Sequence, residues 1–217
     1  MFCPELGLQP PNQPNAVAVY EAAVAHFSAM PWCARLLQNT ITFLPQCRSP
    51  ASDEHDQFLG RTLASDRAVP HMLCFFQRPP QKDEDGDVDW RSAESPPVGR
   101  VSTLYALGHG MSGFPAVAHG GGLMALADEA MGMLLELNLA LGKAGDGFGS
   151  NSVTAALETR FRRPVPTGGA LLVTAWTERR QGRRMTVRCE FTDEAGEVLV
   201  SCSSEWVAVK ERNKAKV

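Results

Sequence analysis

The stretch that runs from Ala118 through His119 and three glycines to Leu137 limits what this chain can fold into more than any other. From Leu123 onward its apolar residues fall on every side of a helical wheel, with Asp128, Glu129 and Glu136 as the only charges. A helix apolar all round is a buried helix, so the rest of the domain must wrap it. Gly120, Gly121 and Gly122 form the entrance, where they let backbone come close to a ligand or another chain and leave the first-turn N–H groups unencumbered. Such an entrance suits an anion or an oxyanion, although glycines there also serve simply as turn and cap. Asp128 falls mid-helix, where an unpaired carboxylate is costly, so it is paired, protonated or used.

The spacing of His119-Gly120-Gly121 to Asp128, followed by Ala130-Met131-Gly132, resembles that of the hotdog-fold acyl-CoA thioesterases. Within them it is similar to the branch holding phenylacetate-pathway and human thioesterase-superfamily members. The resemblance continues downstream through Thr154-Ala155-Ala156-Leu157, the exit Phe161-Arg162-Arg163-Pro164-Val165-Pro166 and the turn Gly182-Arg183. It covers about residues 98–210. The long N-terminal extension is similar in general character to those of fungal members.

The strand pattern agrees with that resemblance. Val101–Leu107 precedes the helix, and Ser152–Arg162, Ala170–Thr177, Arg184–Phe191 and Val198–Val209 follow it. Turns at Gln181-Gly182 and Ala195-Gly196 make the last three a meander. One long buried helix among antiparallel strands is an α+β domain with its sheet wrapped round the helix, which is the hotdog fold. The organisation expected is a helical N-terminal extension over 1–60, a first strand and acidic mobile insertion over 61–97, the hotdog core over 98–210 and a basic tail over 211–217.

What the resemblance implies for chemistry is hydrolysis of an acyl thioester. The Gly120 N–H would polarise the carbonyl oxygen, Asp128 would activate water or attack directly, Thr154 would orient the water or the carboxylate, and His119 would support the loop. In a helix Gly120 and Asp128 stand on the order of 10 Å apart, while one thioester carbon must lie about 3 Å from both an oxyanion donor and a base. A single copy cannot supply both groups. A two-fold homodimer resolves this by setting the glycine end of one helix against the Asp of the other, and the family is built that way; two such dimers could pair into a tetramer. On strand alternation Thr154 shares a face with Glu158 and Arg160, opposite a core side of Val153, Ala155, Leu157 and Phe161. Glu129, turned about 100° from Asp128 on the wheel, serves as the comparison carboxylate.

Charge is uneven along the chain. Net charge is −3, yet residues 150–189 hold eight arginines against two glutamates. Of these, Arg162, Arg163, Arg183 and Arg184 suit the phosphates of coenzyme A, which here is part of the substrate and not a cofactor; a solvated basic face reads equally well. No aromatic platform is interleaved with them, which argues against nucleic acid.

Upstream, Val17, Val19, Tyr20, Ala23, Val24 and Phe27 recur at three and four, giving an amphipathic helix over 16–30 that ends at Pro31, with a second short helical piece through Trp32 and Leu37. Residues 48–69 read as a polar loop, and Met72–Phe76 as a strand. The run Lys82 to Asp87 superficially resembles a calcium loop but lacks the remaining spacing and the closing Glu. Glu54-His55-Asp56 lacks a second cluster to complete a metal site. Gly108-His109-Gly110-Met111-Ser112-Gly113 matches the dinucleotide spacing, but Phe114-Pro115 follows where a helix should open. Ser112 is one glycine short of a nucleophile elbow.

Six cysteines without a C-x-x-C pair read as reduced, mostly buried thiols. No secretory or Arg-rich transit pattern, apolar span or peroxisomal tripeptide is legible, so the cytoplasm is the default expectation. Three other functions stay open. A carrier-protein or polyketide thioester could be the substrate, the chain could be a hydro-lyase of the same fold, whose Asp-His arrangement is not found, or it could be a non-catalytic hotdog interaction protein.

Overall fold

A computed structural model of the chain describes residues 1–9, 15–50, 52, 54–78, 97–143 and 151–209. The acidic run at 79–96, most of the glycine-rich connection at 142–149 and the basic tail lie outside the described residues. The strands are β1 (Thr40–Phe43), β2 (Met72–Gln77), β3 (Arg100–Ala106), β4 (Ser112–Phe114), β5 (Val117–Ala118), β6 (Ser152–Phe161), β7 (Ala170–Gln181), β8 (Arg184–Thr192) and β9 (Val198–Ala208). The helices are α1 (Ala16–Ser28), α2 (Pro31–Leu36) and α3 (Gly120–Ala140).

Seven strands form one antiparallel sheet in the order β1-β2-β3-β7-β8-β9-β6, and β4 and β5 make a small separate hairpin. The sheet wraps α3, as the sequence leads one to expect, and the fold is α+β of the hotdog type. Leu126, Met131, Leu134 and Leu137 of the helix are fully buried with Val173, Val187 and Phe191 of the sheet in one apolar cluster. Two polar contacts fix the helix on the sheet. The buried Tyr105 hydroxyl donates to the Leu126 carbonyl at 3.0 Å. Asn138, also fully buried, accepts from the Val98 N–H at 2.7 Å and donates to the Val98 and Leu134 carbonyls. All of its polar atoms are therefore used, which is the condition for burying an amide without cost.

The helix is not closed on every side. Ala125, Asp128, Glu129, Gly132, Glu136 and Leu139 form a half-buried stripe at helical spacing. All three of its charges lie on that stripe, so the carboxylates keep the one side of an otherwise apolar helix that the sheet leaves open.

The first seventy residues are joined closely to this body. β1 falls in the stretch read as helical extension and adds an edge strand beside β2. Pro31 divides the predicted helix over 16–30 from the short α2. Both helices pack on the other face of the sheet, with Phe27 and Cys33 buried against Leu73, Phe75 and Leu104. The segment 48–69, expected as a polar loop, folds round a buried arginine. Arg48 donates from Nη1 to the Leu59 carbonyl at 3.1 Å and from Nη2 to the Pro70 carbonyl at 3.0 Å. Leu59 and Val69 are drawn inward with it.

Candidate active site

His119 takes an extended conformation and caps α3. Its Nδ1 accepts the Gly121 N–H at 3.0 Å, while its own N–H is held by the Met111 carbonyl at 2.7 Å. Histidine is an uncommon cap, but a ring nitrogen can do what a Ser or Asp oxygen does at this position. Gly120 is the first helical residue, and its N–H is one of the donors the helix cannot satisfy for itself. A Cβ there would come within 3.1 Å of the Phe161 ring, so aromatic and helix entrance stand edge to edge. Around them Phe114, Val117, Leu123, Phe161 and Arg162 line a cavity of about 360 Å³. The anionic pole of a substrate and its apolar neighbour could both be met there.

Asp128 is reached from β6. Thr154 Oγ1 donates to Asp128 Oδ1 at 2.7 Å, which orients the carboxylate and leaves its second oxygen for water or substrate. Thr154 therefore faces the helix, and not away from it with Glu158 and Arg160 as strand alternation predicted. The cause is a bulge. Thr154 pairs with Trp206 and Ala156 with Glu205, so Ala155 is an extra residue that resets the alternation. Past it, Leu157 and Thr159 turn inward, Phe161 lies against the helix entrance yet stays 53% exposed, and Val153, expected in the core, is 54% exposed. The bulge brings both Thr154 and Phe161 to the helix from one strand.

The four arginines proposed for phosphates are split. Arg162 and Arg163 follow β6, where Arg162 donates to Ser201 Oγ at 3.2 Å and Arg163 pairs with Glu197 at 3.0 Å. Arg183 and Arg184 sit at the β7–β8 turn, where Arg183 closes on the Ala208 carbonyl and Arg184 lies 3.5 Å from Glu205. The pairs stand near opposite ends of β9, and within one chain they do not converge.

Glu129, chosen as the comparison carboxylate, is itself perturbed. Burial pushes its pKa up to about 7, with further upward pressure from Glu136, Asp56 and Asp128 and a lowering hydrogen bond from the Cys47 thiol. Burial likewise raises Glu136. The signal legible in sequence was the spacing of Glu129, Gly132 and Glu136 on one helical face. The Gly108–Gly113 stretch forms one 3₁₀ turn at His109–Met111 and opens no α-helix; a Cβ at Gly108 or Gly110 would run into the Arg67 carbonyl at 2.3 or 2.6 Å. Those two glycines serve backbone packing. All six cysteines are buried and none forms a disulfide. Among the described residues no group of His, Cys, Asp and Glu is arranged to hold a metal, and no helix is long and apolar enough to cross a membrane.

An antiparallel sheet wrapped round one long helix defines the hotdog fold. Residues 116–200 match the model of the thioesterase superfamily. The chain is 25% identical over 189 residues to verlamelin biosynthesis protein B of a Lecanicillium species, covering 74% of this chain and 76% of that protein. Among solved structures, a thioesterase superfamily protein shares 31% identity at a TM-score of 0.40, over 50% of this chain and 51% of that one. The chain thus spans about half the length of that relative. The PaaI protein of the Escherichia coli phenylacetic acid degradation operon is 19% identical at a TM-score of 0.45, over 52% of this chain and 74% of its own.

Proposed function

We propose that this chain hydrolyses acyl thioesters, with acyl-coenzyme A as the substrate form, in a homodimer whose two sites each combine residues of both copies. The observation that carries the reading is the Thr154–Asp128 hydrogen bond on the open stripe of a helix whose N-terminus is a capped glycine turn. Asp128 takes a proton from water, whose oxygen attacks the thioester carbon, or attacks that carbon itself to give an anhydride that water then hydrolyses to restore Asp128. The carbonyl oxygen becomes an oxyanion and accepts the Gly120 N–H of the second copy. The C–S bond then breaks, the thiolate leaves and takes up a proton, and acid and thiol are released.

The dimer is supported by two features. Gly120 and Asp128 are eight residues apart on one helix, roughly 12 Å along its axis, too far to serve one carbon. One edge of the seven-stranded sheet is β6 itself, ten residues long with Val153, Ala155 and Ala156 exposed. A long open edge of this kind is a template for another strand, and a second copy's β6 matches it by symmetry. The arginines at either end of β9 would then meet phosphates as separate contacts.

Release of free thiol from short, long and aromatic acyl-coenzyme A esters, and from carrier-linked acyl groups, tests the reading. Wild type should cleave at least one coenzyme A ester, and Asp128→Asn, still folded, should lose about two or more orders of magnitude in kcat. Preference for the carrier-linked group would move the substrate to a carrier protein; absence of turnover on every ester would overturn hydrolysis.

A further inference from the structure

Beside the Asp128–Thr154 pair lies a cavity of about 450 Å³ that the thioester chemistry does not use. Neither Asp128 nor Thr154 lines it, but it adjoins them: Glu129 follows Asp128 on the helix, Ser152 is two residues before Thr154 and Trp206 is Thr154's partner across the strands. From there it follows the open stripe of α3 past Glu129 and Gly132 to Glu136. Its far wall comes from the N-terminal region, through Cys47 and Asp56. Gly132 makes room on the helix side, since a Cβ there would meet the Trp206 ring at 3.4 Å.

A cavity meant for a plain hydrocarbon would be apolar to its end, and this one is not. Two carboxyl groups on the helix face it and a third, Asp56, closes it. Against them stand the Cys47 thiol beside Glu129, the Gln46 backbone beside Glu136, the Met1 α-amino group 4.0 Å from Glu136, and Asn151 and Ser152 on the side of β6. Trp206 forms another wall. Desolvated carboxyls raise the energy of the empty site. A ligand group that donates a hydrogen bond would relieve that cost, and a methyl terminus would not.

We infer that this cavity receives the acyl chain and selects chains that carry a hydrogen-bond-donating substituent, hydroxyl or ammonium, toward their far end. Glu129 and Glu136 are its specificity-determining residues. The inference rests on the thioesterase reading for the position of the reacting carbon. The helix rise separates Asp128 from Glu136 by roughly 12 Å, the reach of a medium-length chain, so the substituent belongs near the end of that chain and not beside the carbonyl. The N-terminal region, by supplying Cys47 and Asp56, then acts as the closed end of the acyl site.

The test compares coenzyme A esters of matched medium length that end in methyl, hydroxyl or ammonium, with acetyl-coenzyme A as a substrate too short to reach the cavity. Wild type should favour one or both capped chains over the methyl chain by about tenfold or more in kcat/KM, and whichever arm wins identifies the donor. Glu129→Leu should bring that ratio to about one. If Leu disturbs folding, Glu129→Gln and Glu136→Gln keep the packing and should still erode the preference for ammonium. Equal turnover of all three chains by wild type, or a ratio unmoved by the variants, overturns the inference while hydrolysis stands. The free acids supply an arm independent of turnover, with Trp206 fluorescence as readout and Trp206→Phe as control. If no ester is cleaved but the capped acids quench that signal and the methyl acid does not, the hydrolase reading falls and the cavity assignment stands. If no acid binds either, both fall.

Discussion

At the scale of single residues, the site depends on which oxygen of Asp128 is spoken for. Thr154 holds one of them at 2.7 Å. Its hydroxyl should matter to kcat more than to KM, because it orients the reacting carboxylate and does not define the acyl cavity. Thr154→Ala is expected to lower kcat about 10- to 100-fold with KM little changed, and Thr154→Ser to restore most of it; equal loss in both variants would mean that the threonine only packs. Glu129 offers a separate handle in pH. Its folded pKa of about 7 stands above the ordinary 4.5. Below about pH 4.5 it is protonated folded or unfolded, so its environment costs nothing. As pH rises from there to 7 the unfolded chain loses the proton first, and stability falls by at most about 3 kcal/mol, a penalty that persists at higher pH. Glu129→Gln cannot ionise and escapes it. The melting-temperature difference between variant and wild type should therefore grow between pH 5 and 8 in the variant's favour, by several degrees; a difference independent of pH would refute the assignment. Sequence singled out Thr154 and missed its direction, because one bulged alanine is invisible to a period-two pattern. It also passed over Glu129, whose burial depends on Cys47 and Asp56, distant in sequence.

At the scale of elements, α3 was the most legible. Its apolar content, its glycines and its start after His119 all follow from one continuous stretch, and the observed Gly120–Ala140 helix contains the predicted segment. The strands flanking it were legible for the same reason, since each carries enough residues for alternation to register. β1 was not: Thr-Ile-Thr-Phe is four residues long and becomes a strand only by pairing with β2. The helix entrance permits a sharper experiment than the usual alanine. Gly120 is the first helical position, where proline is favoured and its missing N–H costs the helix nothing. His119 already has the extended backbone, φ −68° and ψ 130°, that a residue before proline requires. The one obstacle is the Phe161 ring, which is 53% exposed and free to swing. Gly120→Pro should thus fold with a melting temperature near wild type and lose about 100-fold or more in kcat, as removal of an oxyanion donor does. Full activity in the folded variant would take Gly120 out of the chemistry.

At the scale of the whole molecule, the same two variants decide whether one chain or two makes a site. Asp128 and Gly120 sit on one rigid helix, so their separation cannot be closed by any motion that leaves α3 intact. On the proposed chemistry a site using both groups would borrow one of them, and β6, which carries Thr154 to Asp128, is also a sheet edge through which a second copy would join. If the sites are shared, Asp128→Asn and Gly120→Pro homodimers are both inactive, but a mixed dimer contains one site that joins the unaltered Asp128 of one copy to the unaltered Gly120 of the other. The opposite site carries both substitutions and is dead. Unfolding and refolding the two variants together at equal concentration should form mixed dimers in half of the population, each with one of two sites working, and restore about a quarter of wild-type activity. The mixed species can be isolated with two different affinity tags, and its activity should then reach about half. If each chain makes its own site, mixing restores nothing, because every helix in the mixture then lacks one of the two groups.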